Sequence, residues 1–480
     1  MPHCPLLHSL ATEVCMGAKR LTDEQMQSFI RSGYIEVVPD LPPEFHSEMF
    51  SKIEHLYETE GNPGNNILPR IPELHHLFED QTVHGALCSL LGDDYYQDAH
   101  RFVHFNKPHS DGQTLHKDSF TRRRHHTRWL VTFYYPQDTP LEMGPTGVLP
   151  GSQYFNTIPE DSYTREYGLA GPAGRVAIAN YDIVHRGLPN KTEKNRYMAK
   201  FLFNRMSEPT KPTWDYQNSD WPLSDDPRDL IWAYLWDWHK GAPQPNNSGS
   251  IGDLVRDMVS ADETNALNAA YTLAGIGQPA VKPLIDVMLD GSAEEWILGR
   301  DTRRRPPGFT TPAANASYAL AAIGSPAIPQ LIQALDTATI PERDLTIQVL
   351  SDMGIQGEQA IPALAQSLAD PAPAIRAQAA EGLGQIAQRA TQPLPALTSA
   401  LQDRDETVRR NAALSLGKLA ANSADAVPDL ERSIGDPNRY VVANTFEALD
   451  RIGTPEAHDT LIKHLKTARW CPITAPGSLY

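Results

Sequence analysis

The stretch GRVAIANYDIVHRGLPNKTEKNRYMAKF, residues 174–201, contains two short apolar runs separated by a polar segment with Gly, Pro and Asn. β-Branched and aromatic residues are frequent in both runs, and such runs bounded by turn residues are typical of β-strands. His185 follows the first run, and Arg196 opens the second. The stretch therefore predicts two strands, with an imidazole just after one and a guanidinium at the start of the next.

Further strands are predicted on the amino-terminal side of this stretch, each short and bounded by turn residues. They lie at residues 34–38, 100–105, 128–135 and 146–150. Ahead of them, Thr22 and Gln25 form a capping-box pattern, and Gly33 stands where the helix would end. Many short strands of this kind favour an antiparallel sandwich or jelly roll with flanking helices, over residues 20–206.

Residues 207–250 form a connector rich in Pro, Asp, Ser and Trp. Within it, DLIWAYLWDW predicts a helix, and GAPQPNNSGS is typical of a linker. The tryptophans of this segment are expected to pack on a neighbouring domain; the alternative is that they line a ligand groove.

After residue 250 one helix ending recurs, as in ASYALAAIG, AAEGLGQIA and AALSLGKLA, and most copies precede a second apolar helix. The endings fall at Gly277, Gly324, Gly354, Ala387, Ala420 and Gly453. The last four steps are 30, 33, 33 and 33 residues; the first is longer because of an insertion around residues 294–312. Helical hairpins repeated in this way resemble HEAT repeats, so residues 251–468 predict an all-α solenoid.

The bulk composition narrows the classes of function. A chain of 480 residues with 40% apolar residues is expected to form two or three domains, and a net charge of −17 argues against nucleic-acid and membrane partners. Four scattered cysteines without metal-like spacing indicate a reduced, cytoplasmic protein. Residues 1–19 lack the features of a signal peptide and are expected to be a loosely ordered leader, and residues 469–480 a tail.

TLHKDSF, residues 114–120, places His116 and Asp118 two residues apart. Side chains at positions i and i+2 of a strand point to the same face, so both groups can face one site. Two ligands hold a metal poorly, and His185 is the best candidate for a third. Two histidines and one carboxylate form the facial triad of non-haem Fe(II), which leaves coordination positions open. The alternative is a set of hydrogen-bonded polar core groups.

Arg196 follows His185 by eleven residues, and a guanidinium is a preferred bidentate partner for a carboxylate. Four segments then carry a family resemblance: LTDEQMQSFIRSGYIEV, FNKPHSDGQTLHKDSF, MGPTGVLPGSQY and the stretch quoted first. In this order they resemble the phytanoyl-CoA dioxygenase family of Fe(II)/2-oxoglutarate-dependent oxygenases, over about residues 20–206. The turn departs from the family pattern at Met143 and Gln153.

The resemblance implies a double-stranded β-helix, or jelly roll, followed here by the HEAT-like solenoid. It implies His116, Asp118 and His185 as ligands of Fe(II), and Arg196 as the group that holds the distal carboxylate of 2-oxoglutarate. It also places an aromatic residue, Tyr134, beside the 2-oxoglutarate pocket.

Two groups of polar residues near the ligand segment are left open. Lys107 and Gln113 lie just before it and either touch co-substrate or substrate or lie on the surface. The basic run at residues 122–126 either covers the pocket mouth and holds an anionic substrate, or faces solvent.

The expected activity is oxidation of a small organic molecule by dioxygen, in the first instance hydroxylation, with release of succinate and CO2. Related halogenases lack the carboxylate that Asp118 supplies. The repeats would bind a protein partner or mediate self-association. Two alternatives remain: an oxygenase acting on a protein substrate held by the repeats, and a HEAT scaffold whose oxygenase domain is idle.

Overall fold

The first helix, α1 (Asp23–Ser32), begins and ends where the sequence predicts. The Thr22 side chain accepts a hydrogen bond from the Gln25 backbone N–H, and the Gln25 side chain accepts one from the Thr22 N–H. The helix ends at Gly33, which has a φ of 81° and donates its N–H to the Phe29 carbonyl. Capping of this kind satisfies backbone groups at both helix ends.

The structure is a computed structural model that describes residues 17–118, 125–158, 160–242, 247–291 and 312–467. The predicted leader lies mostly outside the described residues. Wholly outside them lie the predicted tail, the core of the repeat insertion, and Arg122, Arg123 and Arg124. The described strands are β1 (Tyr34–Val37), β2 (Tyr95–Asn106), β3 (Trp129–Tyr134), β4 (Thr146–Val148), β5 (Tyr167–Gly168), β6 (Val176–Asn180), β7 (His185–Gly187) and β8 (Arg196–Arg205).

These strands form two antiparallel sheets, which are not closed into a barrel. One sheet has the order β1-β6-β3-β8-β2, and the other has the order β5-β4-β7. Thr132 in the central strand pairs with Ile178 of β6 and Phe201 of β8, so β3 is hydrogen-bonded on both sides. A core of buried apolar side chains packs Val131 and Phe133 of β3 against Val148 of β4. The predicted jelly roll is confirmed.

The described helices of the first half and the connector are α1, α2 (Pro43–Thr59), α3 (Ile67–Arg70), α4 (His76–Glu79), α5 (Gln81–Leu91) and α6 (Asp229–Lys240). The described repeat helices are α7 (Ile251–Met258), α8 (Glu263–Ile276), α9 (Gln278–Met288), α10 (Pro312–Ile323), α11 (Ile328–Thr337), α12 (Ile340–Asp352), α13 (Ile361–Ser367), α14 (Pro373–Ile386), α15 (Leu394–Ala400), α16 (Glu406–Leu419), α17 (Val427–Ser433), α18 (Arg439–Ile452) and α19 (Pro455–Thr467). The helical repeats are thereby confirmed. No helix among the described residues is both long enough and apolar enough to cross a membrane.

Four tryptophans of the connector, Trp214, Trp221, Trp232 and Trp236, are buried. Trp214 and Trp236 pack with ring centroids 5.0 Å apart, and Trp221 lies 6.0 Å from Trp232 and 6.1 Å from Trp236. The indole N–H of Trp214 donates to Asp23 of α1, and that of Trp221 donates to Asp229 of α6. These contacts support the packing interpretation.

The chain divides into two compact units, Met1–Met353 and Gly354–Tyr480. The first repeat helices, α7 to α12, thus share a unit with both sheets, although the sequence pattern changes near residue 250. Polar contacts tie the two parts of this unit together. Thr157 donates its hydroxyl to Glu263 of α8 at 2.7 Å, and Tyr318 of α10 donates to the Asn156 side chain at 3.1 Å.

A buried guanidinium lies between the sheet and the last helix of this unit. Arg128, just before β3, donates two hydrogen bonds to the Glu208 carboxylate at 2.8 and 3.0 Å. It also donates to the Asp352 carboxylate of α12 at 3.0 Å. All three side chains are at least nine-tenths buried, so the arginine pairs with both acids away from solvent.

In the second unit, neighbouring repeats are joined by ion pairs that recur at the repeat period. Arg376 of α14 donates to both oxygens of Asp403 at 2.7 and 2.8 Å, and Arg409 of α16 does the same with Asp436 at 2.6 and 3.2 Å. Each arginine thus reaches the turn of the next repeat, as expected for a solenoid stabilised through nearest neighbours.

Replacing Arg376 with methionine should destabilise the second unit by about 2–3 kcal/mol, because Asp403 would lose its partner in a largely buried position. Chemical denaturation followed by circular dichroism measures this loss. The matched control is Arg432→Met, which removes an exposed arginine paired within its own helix to Asp429. An equal effect from both variants would contradict a role for the inter-repeat pair.

Candidate metal centre

His116 and His185 are brought together by backbone pairing. His116 forms an isolated antiparallel bridge with His185, the first residue of β7, through N–H···O=C bonds of 3.0 and 2.9 Å. The two ring centroids lie 4.7 Å apart. Lys117 points away, and its ammonium donates to the carbonyls of Ser152 and Phe155. The expected i, i+2 arrangement therefore places His116 and Asp118 on one side, although this segment is not a regular strand.

The three predicted ligands converge. His185 Nε2 lies 3.4 Å from Asp118 Oδ2, and His116 Nε2 lies 3.9 Å from Asp118 Oδ1. One candidate ligand atom from each residue lies within 4.8 Å of the others. Ligand atoms that share an ion at bonds of about 2.0–2.2 Å are separated by roughly 3–4 Å, so small side-chain movements suffice to bind one cation.

Hydrogen bonds orient both imidazoles for metal binding through Nε2. Nδ1 of His116 lies 2.9 Å from the Thr114 carbonyl, and Nδ1 of His185 lies 3.1 Å from the Ile183 carbonyl. A carbonyl only accepts, so each Nδ1 carries a hydrogen, and Nε2 is left as the ligand atom. Burial, assisted by the neighbouring His185, lowers the pKa of His116, which favours the neutral ring that a metal requires.

Asp118 is ionised. Burial alone would raise the pKa of its carboxyl, but neighbouring His185 and Lys200 outweigh burial and hold that pKa well below its usual range. Lys200, in the middle of β8, forms an ion pair with Asp118 Oδ2. The site thus has an anionic oxygen donor beside two imidazole nitrogen donors, the donor set of a 2-His-1-carboxylate centre.

Arg196 is almost completely buried, and its Nε and Nη1 have no hydrogen-bond partner. Burial lowers the pKa of this guanidinium, an effect partly opposed by Tyr135. A buried cation with free donors is costly unless an anion completes it. Because Arg196 lines the same pocket as the triad, the site fits a co-substrate that has a metal-chelating end and a distal carboxylate.

The pocket that contains the triad has a volume of about 410 Å³, part of it open to solvent. Among the described residues it is lined by His104, Asn106, Gln113, His116, Asp118, Phe133, Thr146, His185, Gly187, Arg196, Met198 and Lys200. Gln113, one of the candidate co-substrate contacts, is therefore at the pocket, where its side-chain oxygen accepts the Gly187 N–H at 3.0 Å.

Two predicted contacts lie elsewhere. Tyr134 was expected beside the 2-oxoglutarate pocket, but side chains alternate along β3, and Phe133 faces the pocket instead. The Tyr134 hydroxyl lies on the other side of the sheet, 2.9 Å from Nδ1 of His46. Lys107 is exposed and is not among the lining residues. The structure thus corrects the prediction for Tyr134 and favours the surface alternative for Lys107.

Replacing Tyr134 with phenylalanine should leave 2-oxoglutarate affinity unchanged within about twofold, because the hydroxyl does not reach the pocket. Stability should fall by about 1–2 kcal/mol, since His46 Nδ1 would lose its buried partner. Binding titration and denaturant unfolding measure the two effects separately. A large loss of affinity without a loss of stability would restore Tyr134 to the pocket.

Sequence reasoning did not select two ionisable residues of the pocket, His104 and Lys200. Burial and nearby Lys200 and Arg196 lower the pKa of His104 to about 3, so its ring is neutral at neutral pH. Lys200 was detectable, because Arg196, Met198 and Lys200 alternate along one strand and share a face.

His125 and His126 neither line the pocket nor face solvent. Each is buried, and its ring lies 2.6 Å from a tyrosine hydroxyl, Tyr271 of α8 for His125 and Tyr234 of α6 for His126. Both alternatives for these two residues were wrong, because aromatic side chains of distant helices pack over them. Buried imidazoles with such partners have a structural role.

Comparison with known proteins gives three family matches. Residues 48–198 match the family model of phytanoyl-CoA dioxygenase. Residues 361–432 and 394–471 match HEAT repeats, and residues 312–337 match the PBS lyase HEAT-like repeat. A comparison with curated proteins finds no match.

Solved structures similar to the chain include three proteins with low sequence identity. The non-heme alpha ketoglutarate dependent carbocyclase SnoK from nogalamycin biosynthesis is 17% identical, with 39% of this chain and 85% of that chain covered and a TM-score of 0.34. The epimerase SnoN in complex with Fe3+, alpha ketoglutarate and nogalamycin RO is 14% identical, with 38% of this chain and 84% of that chain covered and a TM-score of 0.32. HygX from Streptomyces hygroscopicus with nickel and 2-oxoglutarate bound is 14% identical, with 42% of this chain and 92% of that chain covered and a TM-score of 0.32. Scores at this level add nothing to the family match.

Proposed function

We propose, from the premise that residues 48–198 form a phytanoyl-CoA dioxygenase domain, that the chain is an Fe(II)- and 2-oxoglutarate-dependent dioxygenase. Its substrate would be a small organic molecule, oxidised in the first instance by hydroxylation, with release of succinate and CO2. The observation that carries this proposal is one pocket that holds both a convergent His-Asp-His triad and an unpartnered, buried arginine.

Each residue has a distinct role in this proposal. His116, Asp118 and His185 would hold Fe(II), which supplies the oxidising chemistry with dioxygen when 2-oxoglutarate is bound. Arg196 would bind the distal carboxylate of 2-oxoglutarate and so fix its orientation. The Thr114 and Ile183 carbonyls hold the two imidazole rings in the ligating tautomer.

The donor set also bears on the type of oxidation. Asp118 supplies an anionic oxygen, so the site has three protein ligands rather than two. A halogenase needs that third position for halide. The carboxylate therefore supports hydroxylation or a related oxidation over halogenation.

Anaerobic addition of Fe(II) and 2-oxoglutarate tests the proposal, because chelation of the ion by the co-substrate should give a weak visible charge-transfer band. Admission of air should then release succinate, slowly without substrate and faster with it. A metabolite screen that reads succinate would identify the substrate. Absence of both the band and succinate release would reject the proposal.

One observation favours a second candidate, a HEAT scaffold with an idle oxygenase domain. The Lys200 ammonium already pairs with Asp118, the carboxylate that the metal requires. In an idle domain this pair would replace the ion. The two candidates differ in metal binding, which the band described above reports directly.

We infer that the repeats serve binding or assembly. The second unit has two ion pairs of similar geometry, Arg376 with Asp403 and Arg409 with Asp436, and HEAT repeats match this region. Size-exclusion chromatography with light scattering tests self-association. A protein substrate held by the repeats remains the alternative to a small molecule, and succinate release stimulated by a protein fraction would favour it.

A further inference from the structure

Lys200 has a fixed position in the middle of the central sheet. It lies in β8, where its backbone pairs with Phe102 of β2 and Phe133 of β3. Its side chain is only 8% exposed and points into the pocket beside Met198. A lysine so placed between two strands has little freedom to leave the site, because its backbone is held on both sides.

The Lys200 ammonium contacts a carboxylate oxygen of one of the three candidate metal ligands. It pairs with Oδ2 of Asp118, the same oxygen that lies 3.4 Å from His185 Nε2. Among the described lining residues, Asp118 is the acidic one, and Lys200 and Arg196 are the basic ones. Two nitrogens of Arg196 have no hydrogen-bond partner, and among the described lining residues Lys200 is the cation that pairs with Asp118.

This arrangement has two energetic consequences. A carboxylate as buried as Asp118 is stabilised by its cationic partner, and removal of the partner leaves an uncompensated charge. A divalent cation bound by the same carboxylate would instead be repelled by an ammonium a few ångströms away, and that repulsion weakens slowly with distance inside a protein. Lys200 therefore stabilises the metal-free protein and lowers the affinity of the site for a divalent cation.

We propose that Lys200 is a positioning residue that neutralises Asp118 in the metal-free protein and competes with a divalent cation for that carboxylate. This inference rests on the proposed function, because it assumes that the triad binds a metal. Lys200 would act as an internal counter-ion that holds the Asp118 carboxylate in place when no metal is bound. It would also lower metal affinity below the value that the three ligands would give alone.

The test compares the full-length protein with its Lys200→Met variant by titration with Mn(II), followed by electron paramagnetic resonance of the free ion. Mn(II) affinity should increase about tenfold or more, because the repulsion is removed. Without metal, in the presence of a chelator, the variant should melt at a lower temperature than the wild type. Opposite changes in the two measurements are not expected of a residue that merely fills space.

Two further variants make the test robust. Lys200→Gln keeps a polar side chain without the charge and should change in the same direction, which guards against misfolding of the methionine variant. Lys282→Met removes an exposed ammonium that pairs with Asp286 within α9, far in sequence from the pocket, and should match the wild type in both measurements.

The outcomes separate the inference from the proposed function. Wild-type binding with tighter binding by Lys200→Met supports the inference, as does binding by Lys200→Met alone. Wild-type binding with equal or weaker binding by both Lys200 variants overturns the inference and leaves the proposed function standing. If none of the proteins binds Mn(II), the proposed function fails and the inference fails with it.

Discussion

Replacing His116 with alanine is expected to abolish divalent-metal binding and 2-oxoglutarate turnover. His116 is one of three ligands, and the remaining pair, Asp118 and His185, would hold an ion poorly in a pocket that already contains the Lys200 ammonium. We expect Mn(II) affinity to fall by at least ~100-fold and succinate release to fall below detection. Metal titration gives the first value, and a coupled succinate assay gives the second.

The control for this variant is His109→Ala. His109 is exposed, lies seven residues before His116 and pairs with Glu193 at 2.8 Å, away from the pocket. Its replacement should leave metal affinity and turnover at wild-type values. Full activity of the His116→Ala protein would contradict the ligand assignment, whatever the control shows.

Replacing Arg196 with alanine is expected to weaken 2-oxoglutarate binding by ~100-fold and to spare metal binding. The guanidinium is buried, and two of its nitrogens have no hydrogen-bond partner within the protein. Its loss would therefore remove a charge-assisted contact to the distal carboxylate of 2-oxoglutarate. The charge-transfer band, titrated with 2-oxoglutarate under anaerobic conditions, measures the affinity. Mn(II) titration of the same variant shows whether the triad is intact.

Lys107→Ala is the matched control, because it removes a positive charge that is near in sequence to the ligand segment but exposed and outside the pocket. Its 2-oxoglutarate affinity should equal that of the wild type. A loss in Lys107→Ala as large as that in Arg196→Ala would mean that net charge, rather than the buried guanidinium, governs binding.

The sequence was sufficient to identify the parts of the site that depend on short-range spacing. Alternation predicts that His116 and Asp118, two residues apart, share a face. The convergence of His185 and Arg196 with them was implied by the family resemblance. The capping box at Thr22 and the repeat endings were predictable for the same reason, since each depends on contacts within a few residues.

The errors arose where a single-residue register or a long-range partner decides the outcome. Tyr134 and Phe133 are neighbours, and only the paired strands determine which of the two faces the pocket. His125 depends on Tyr271, 146 residues away, and no local pattern indicates that contact. Lys200 contacts Asp118 over 82 residues, but its alternation with Arg196 was visible in the sequence.

The bond network around Arg128 has a practical consequence for anyone who wishes to isolate the catalytic half. A fragment that stops at residue 206 would lack both acids that neutralise this guanidinium, and one that stops at residue 250 would lack Asp352 and also the tyrosine that binds His125. The first cut would leave Arg128 without either acid, and the second would leave it with Glu208 alone. Arg128 lies at the base of β3, the strand that forms one wall of the pocket. The shortest expression fragment that preserves these contacts ends after Met353.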